Sequence, residues 1–300
     1  MKRSPLIALA VAVGIGTAAL STAGCSTTIA GVPTVPSVIE PFHVMTYAPQ
    51  VVLPFDNSRI AMLSGVAVDA ADNVYVLDFE GQVWKMSAGA DKPSRLPSSG
   101  LDQITTVAVD TADNVYVTDL SKNGVLKLAP GTTSPAVLPF GDFHRIAGVA
   151  VDTKGNVYAA DSDGKRVMKL APGASAPTVL PFNDLKKPTA VAVDTAGNVY
   201  VVDAGKNQVM KLPPGARTST VLPLNGVKQP YAVAVDTRGN VYVTDHELMT
   251  HRVYRLNAGT SSPTALPFSG LNGPFDVAVD SKGNVYVNDL SIHILKLPAR

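Results

Sequence analysis

Cysteine and glutamate are almost missing from this 300-residue sequence, which has one cysteine, Cys25, and three glutamates, Glu40, Glu80 and Glu247. A lone cysteine excludes an intrachain disulfide framework and a zinc site built on thiolates. Glutamate is a strong helix former, and its scarcity beside plentiful Val, Thr, Tyr, Gly and Pro argues against a helical fold. Charge is also sparse: Asp, Glu, Lys and Arg make up 16% of the chain, with 25 basic and 24 acidic residues and a net charge of +1. That balance lacks the basic footprint of a nucleic-acid-binding protein. The long apolar run at residues 6–20 is shorter than the roughly 20 residues a spanning helix needs. What the chain does have is 46% apolar residues, enough for a sizeable core, and aspartates that recur at fixed positions.

The beginning of the chain reads as an address. Lys2 and Arg3 precede the apolar run, and Ser21-Thr22-Ala23-Gly24-Cys25 follows it. These are the three parts of a secretory signal. Ala23-Gly24-Cys25 resembles a bacterial lipobox, with Thr22 standing where an aliphatic residue is usual. Residues 1–24 are therefore expected to be a signal peptide, with Cys25 as the lipidation site. A diacyl group there would hold the protein at the outer face of the cell membrane, each buried methylene contributing about 0.8 kcal/mol. Without lipidation the protein would be secreted. Residues 25–48, rich in Ser, Thr, Pro and Val, read as a tether extended by Pro33, Pro36 and Pro41.

Residues 49–300 form a sixfold repeat. Val-Ala-Val-Asp ends at Asp69, Asp110, Asp152, Asp194, Asp236 and Asp280, at intervals of 41 to 44 residues. Nine residues later comes a second aspartate in each copy: Asp78, Asp119, Asp161, Asp203, Asp245 and Asp289. Asn-Val-Tyr lies between them. A third segment ends near Met86, Leu128, Leu170, Leu212, Leu256 and Leu297, and a fourth carries Leu-Pro. Each segment is short and β-branched or aromatic, which is strand chemistry. The first two are joined by Asp-Thr-x-Gly-Asn, a hairpin signal whose glycine takes positive φ; Asp72 and Asp113 replace it in the first two copies. Four antiparallel strands per repeat of this length predict an all-β, six-bladed β-propeller. A fourth-type strand, Val51-Val52-Leu53-Pro54, precedes any first-type strand, and the chain ends after a third-type strand. The N-terminal strand is therefore expected to complete the last blade and close the ring.

Val-Ala-Val-Asp-Thr-x-Gly-Asn-Val-Tyr-Val-x-Asp resembles the NHL repeat. With the added Val-Leu-Pro-Phe segment, at residues 137–140 and 179–182, it is similar to the extracellular sensor propellers of PknD-type bacterial receptor serine/threonine kinases. The resemblance implies a sensor-like propeller, here without a kinase domain.

In such a meander, the loops joining first to second and third to fourth strands share one face. Those loops repeat closely. The loops on the other face diverge, and divergence marks a tailored surface. The residues gathered there are His144, Arg145, Lys186, Lys187, Tyr231, His246, Glu247, His251, Arg252, Phe275, Asp276 and His293. Aromatic, basic and His side chains together suit recognition of a polar or anionic partner. The expectation is a monomeric, non-catalytic binding module of the cell envelope, membrane-associated through its anchor. It would recognise an extracytoplasmic protein, a peptide or a cell-wall glycan, and not nucleic acid.

Other chemistries are less well supported. His246 and His251 flank Glu247, but no pair has a recognised metal-ligand spacing, and no cofactor signature occurs. Asp161-Ser162-Asp163-Gly164 starts like a calcium loop but lacks the downstream glutamate. Sixfold repetition instead suggests that the aspartates accept backbone N–H bonds in turns. The competing class is a lyase resembling streptogramin lyase, with His246, Glu247 and His293 as acid-base groups. No Gly-x-Ser-x-Gly nucleophile signature is present.

Overall fold

Hydrogen bonding divides the strands into six four-stranded antiparallel sheets, the blades of a propeller. The structure, a computed structural model, describes residues 45–55, 63–248, 250–290 and 293–300. The expected signal peptide, Cys25 and all but the last few residues of the tether lie outside these. Blades 1 to 5 take consecutive strands from residues 63–95, 104–137, 146–179, 188–221 and 230–265, and blade 6 uses residues 274–297.

The second strand of every blade, Val-Tyr-Val-x-Asp or a variant, is buried along its whole length. This explains its near-continuous apolar sequence: both faces of each sheet are covered by neighbouring blades. Tyr75, Tyr200, Tyr242 and Tyr286 are among the largest fully buried side chains. In blade 4, Ala192 pairs with Tyr200, which pairs with Lys211, and the Lys211 ammonium lies 5.3 Å from the Tyr200 ring centroid.

The first aspartate of each repeat organises the hairpin, as expected. Asp152 Oδ1 accepts from the Lys154 and Asn156 N–H groups, both at 2.9 Å. Its Oδ2 accepts from Asn156 Nδ2 at 2.7 Å and from the Tyr158 hydroxyl at 3.0 Å. The same side-chain bonds from Asn and Tyr recur on Asp69, Asp110, Asp194, Asp236 and Asp280. Gly155, with φ of 77°, and Asp72, with φ of 64°, both adopt the positive φ that this turn needs.

Outer strands are shorter than the repeat suggests: each has two residues and stops before Leu-Pro. In blade 3 the Leu180 N–H still donates to Val167 O, and the Phe182 N–H turns back onto Leu180 O at 2.8 Å. Proline at the centre of that three-residue turn bends the chain and delivers Phe182 into the core between blades. Leu-Pro therefore ends each outer strand instead of lying in it.

The ring closes as the sequence predicts. Val51 and Val52 pair with Lys296 and Leu295, completing blade 6. Leu53 N–H donates to Ile294 O, Gln50 exchanges two hydrogen bonds with Ser269, and Tyr47 forms an isolated bridge with Ala299.

Candidate functional site

Each inner strand breaks register near its start, on the divergent face. The irregularities fall between Leu63 and Gly65, Ile104 and Val107, Ile146 and Gly148, Pro188 and Ala190, Pro230 and Val233, and Pro274 and Asp276. A bulge re-aims the extra residue. Here Ser64, Thr105, Thr106, Ala147, Thr189, Tyr231 and Phe275 all line one axial funnel of about 200 Å³. Arg145, Lys187 and Asp276 complete its wall, so all six blades contribute. Close approach of the inner strands uses glycine: a Cβ on Gly148 would meet Ala190 Cα and Thr189 O at 3.1 Å.

In blades 3 to 5 the second aspartate of the repeat pins the loops that bear the cations. Asp161 is fully buried and accepts from the His144 and Arg145 N–H groups, both at 3.0 Å, and from Arg166 Nε at 3.0 Å. Burial alone would push its pKa up. The backbone donors of Arg145, His144 and Gly164, with Arg166, outweigh that and hold it below the ordinary value. Asp203 holds the Lys186 and Lys187 N–H groups at 3.0 and 2.8 Å. Asp245 does the same for Lys228 and Gln229, just ahead of Tyr231. The loops differ in sequence but share one buried bracket, which fixes where Arg145 and Lys187 start.

Blades 5 and 6 supply an aromatic cluster. Tyr231 lies 4.8 Å from Phe275 and 4.9 Å from His246, and His246 lies 6.5 Å from His251. Burial and the neighbouring His251 lower the His246 pKa, favouring the neutral ring. Its Nε2 lies against the Gly273 backbone. Burial, and next the Asp276 charge, raise the Tyr231 pKa, while Arg145 opposes them.

Asp276 is the most perturbed carboxyl among the described residues. It is packed round by protein, yet part of it borders the funnel. Burial raises its pKa to about 7, against the hydrogen bonds from the Val66 and Val277 N–H groups. Its cross-strand partner Asn288 is 1% exposed, and neither amide atom of that residue is hydrogen-bonded.

Of the residues expected on this face, the funnel gathers Arg145, Lys187, Tyr231, Phe275 and Asp276, with His246 stacked behind Tyr231. The others stay at the rim. His144, with a side chain 67% exposed, faces Asp161 at 3.5 Å. Lys186 pairs with Asp184 at 2.7 Å. Glu247 is held by Lys228 at 2.7 Å and Thr250 at 2.9 Å. His251 Nε2 lies 3.0 Å from Leu248 O. Arg252 is exposed, and His293 pairs in register with Asp289. His246, Glu247 and His293, the residues a lyase would use, are thus not gathered in the funnel. Sequence reasoning missed Ser64, Thr105, Thr106 and Thr189. Their signal was the hydroxyl residues just ahead of Val-Ala-Val. No cluster of three or more metal-ligating side chains occurs among the described residues.

No protein-family pattern and no curated protein matches the sequence. Solved structures do match in fold. A streptogramin B lyase has a TM-score of 0.63 at 11% identity, over 85% of this chain and 98% of that one. A gluconolactonase from Xanthomonas campestris has a TM-score of 0.66 at 15% identity, over 84% and 89%. A chain of a nidogen/laminin complex has a TM-score of 0.63 at 20% identity, over 72% and 84%. At these identities the likeness shows the β-propeller fold alone, which hosts enzymes and binding proteins alike.

Proposed function

We propose that this chain is a non-catalytic binding module of the cell envelope, tethered through a lipid on Cys25, with the axial funnel as its recognition site. One observation carries the reading: Arg145 and Lys187 from adjacent blades share a funnel with stacked Tyr231 and Phe275. That chemistry suits an anionic group with an aromatic or sugar face beside it, presented by a protein, peptide or glycan. The likeness of the repeat to NHL-type sensor propellers supports the same reading. Crosslinking of the mature protein on intact cells tests it. Wild type should capture a discrete partner, and the Arg145→Ala/Lys187→Ala pair should lose it. Undiminished capture by the pair would refute the assignment.

A second reading rests on Asp276. A carboxyl titrating near neutrality in a confined pocket is suited to acid-base work. Under this reading the protein would act on a lactone, as the name of one fold neighbour suggests. Turnover of such a substrate that disappears in Asp276→Asn would favour it over the binding module.

A further inference from the structure

On the face opposite the funnel, the junctions between blades 1 and 2 and between blades 4 and 5 carry a groove. Its walls are the second-strand tyrosine and third-strand cation of one blade and the hairpin turn of the next. Between blades 5 and 6 the chain fills this groove itself. Tyr47 places its ring 5.7 Å from the Arg255 guanidinium carbon, and its hydroxyl accepts from Arg255 Nη1 at 3.1 Å. The ring packs among the core side chains shared by those blades.

Tyr47 sits four residues ahead of an outer strand. The same position in blades 3 and 4 holds Ala174 and Ala216, which pack directly against the core. In blade 5 it holds Thr260, whose hydroxyl turns back to Asn257 O at 2.8 Å. Two residues earlier, Pro130, Pro172 and Pro214 of blades 2 to 4 give way to the smaller Ala258. The result is an open cavity of about 520 Å³ between blades 4 and 5, bordered by Tyr200, Lys211, Leu222, Gly239, Ala258 and Thr260. Its relative between blades 1 and 2 also has a threonine, Thr132, but Pro130 and Asp113 leave only about 170 Å³.

We propose that the groove between blades 4 and 5 binds a phenol group carried by a ligand, the chemistry that Tyr47 presents one junction further round the ring. Leu222 and Leu256 receive the ring, and Lys211 stands where Arg255 meets the Tyr47 hydroxyl. The backbone around Tyr47 also pairs, through Ala48 N–H to Pro298 O and Arg300 N–H to Thr46 O, both at 2.8 Å. In blade 5 the corresponding Asn257 O is already taken by the Thr260 N–H and hydroxyl. Recognition therefore falls on the ring and its hydroxyl rather than on an added strand.

The test is titration of the full chain with p-cresol and with the acetylated, amidated tripeptide Thr-Tyr-Ala, followed by calorimetry and backbone NMR. The expected result is one saturable site with shifts centred on Tyr200, Lys211 and Gly239. The Thr-Phe-Ala peptide should bind several-fold more weakly. Thr260→Tyr fills the groove from within, and should cost at least tenfold in affinity without lowering the melting temperature. Tyr47→Thr should vacate the next groove and raise the stoichiometry from one to two; if that variant does not fold, Thr260→Tyr decides alone. Equal affinity for both probes assigns the site to free phenolic molecules, and a clear preference for the peptide assigns it to tyrosine side chains. Lack of saturable binding, or unchanged binding by Thr260→Tyr, overturns the proposal. The Arg145→Ala/Lys187→Ala pair should leave this binding intact, so its outcome is separate from that of the funnel.

Discussion

A single carboxylate in each repeat satisfies three or four donors, and its removal leaves them without an acceptor. For Asp152 these are two backbone N–H groups, the Asn156 amide and the Tyr158 hydroxyl, which sits on a side chain only 2% exposed. Asp152→Ala should lower stability by about 2–3 kcal/mol, measured by urea denaturation. Burial works against the charge on Asp110 and Asp152, but the Asn and Tyr donors hold both pKa values below the ordinary one. Their contribution is complete above the ordinary carboxylate range and is lost as pH falls through the depressed values, so acid unfolding should start below about pH 4. Asp276 has the opposite sign. Its pKa is raised from 3.8 to about 7, so the fold favours its protonated form, and stability declines as pH rises between those values. Asp276→Asn should gain about 1–2 kcal/mol at pH 8 and nothing at pH 4. The gain is smaller than the full shift because one of the Val66 and Val277 N–H groups loses its acceptor. The aspartate pattern was legible in the sequence as turn-making. The tyrosine's part was not, since a buried Val-Tyr-Val strand accounts for itself by packing until the Tyr158 hydroxyl is seen reaching back six residues.

At the scale of the element, strand identity followed from β-branched runs, but strand extent did not. Leu-Pro looks like part of an outer strand because Leu180 keeps a ladder bond to Val167 O, and only the return of Phe182 N–H onto Leu180 O shows the chain leaving the sheet. Bulges were also invisible. Nothing in Pro-Thr-Ala-Val or Pro-Tyr-Ala-Val marks Thr189 or Tyr231 as the residue displaced into the funnel, because that displacement comes from packing six strands round an axis. Closure, by contrast, was legible, since Val51-Val52-Leu53 starts the pattern out of phase with its end. Removing residues 1–53 takes away the partner strand of His293–Leu297 and the buried Leu53, and bares a sheet edge. It should lower the melting temperature by roughly 10 °C or more and promote aggregation, both read by scanning calorimetry with light scattering.

For the whole molecule, the two faces of the ring have separate chemistries, and the described residues begin at only one of them. A Cβ on Gly283, in a hairpin turn of the repetitive face, would strike Met45, and Tyr47 bridges Ala299 beside that turn. The first described residues therefore lie at the repetitive face, while the funnel opens on the other. The sequence could sort loops into two faces because strands alternate in direction, and it found Arg145 and Lys187 because they immediately precede inner strands. It could not rank rim against funnel, since Lys186 and Lys187 are neighbours in the chain and only Lys187 lines the cavity. The division of faces is open to a direct test in a Cys25→Ser background. Leu248, 83% exposed, lies in the divergent loop that also carries His246. A polymer attached at Leu248→Cys should reduce partner capture several-fold by shielding the funnel mouth. The same polymer at Thr111→Cys, in the exposed hairpin turn of blade 2, should leave capture intact. Equal loss at both positions would mean that the partner wraps the ring, and loss at Thr111 alone would move recognition to the repetitive face.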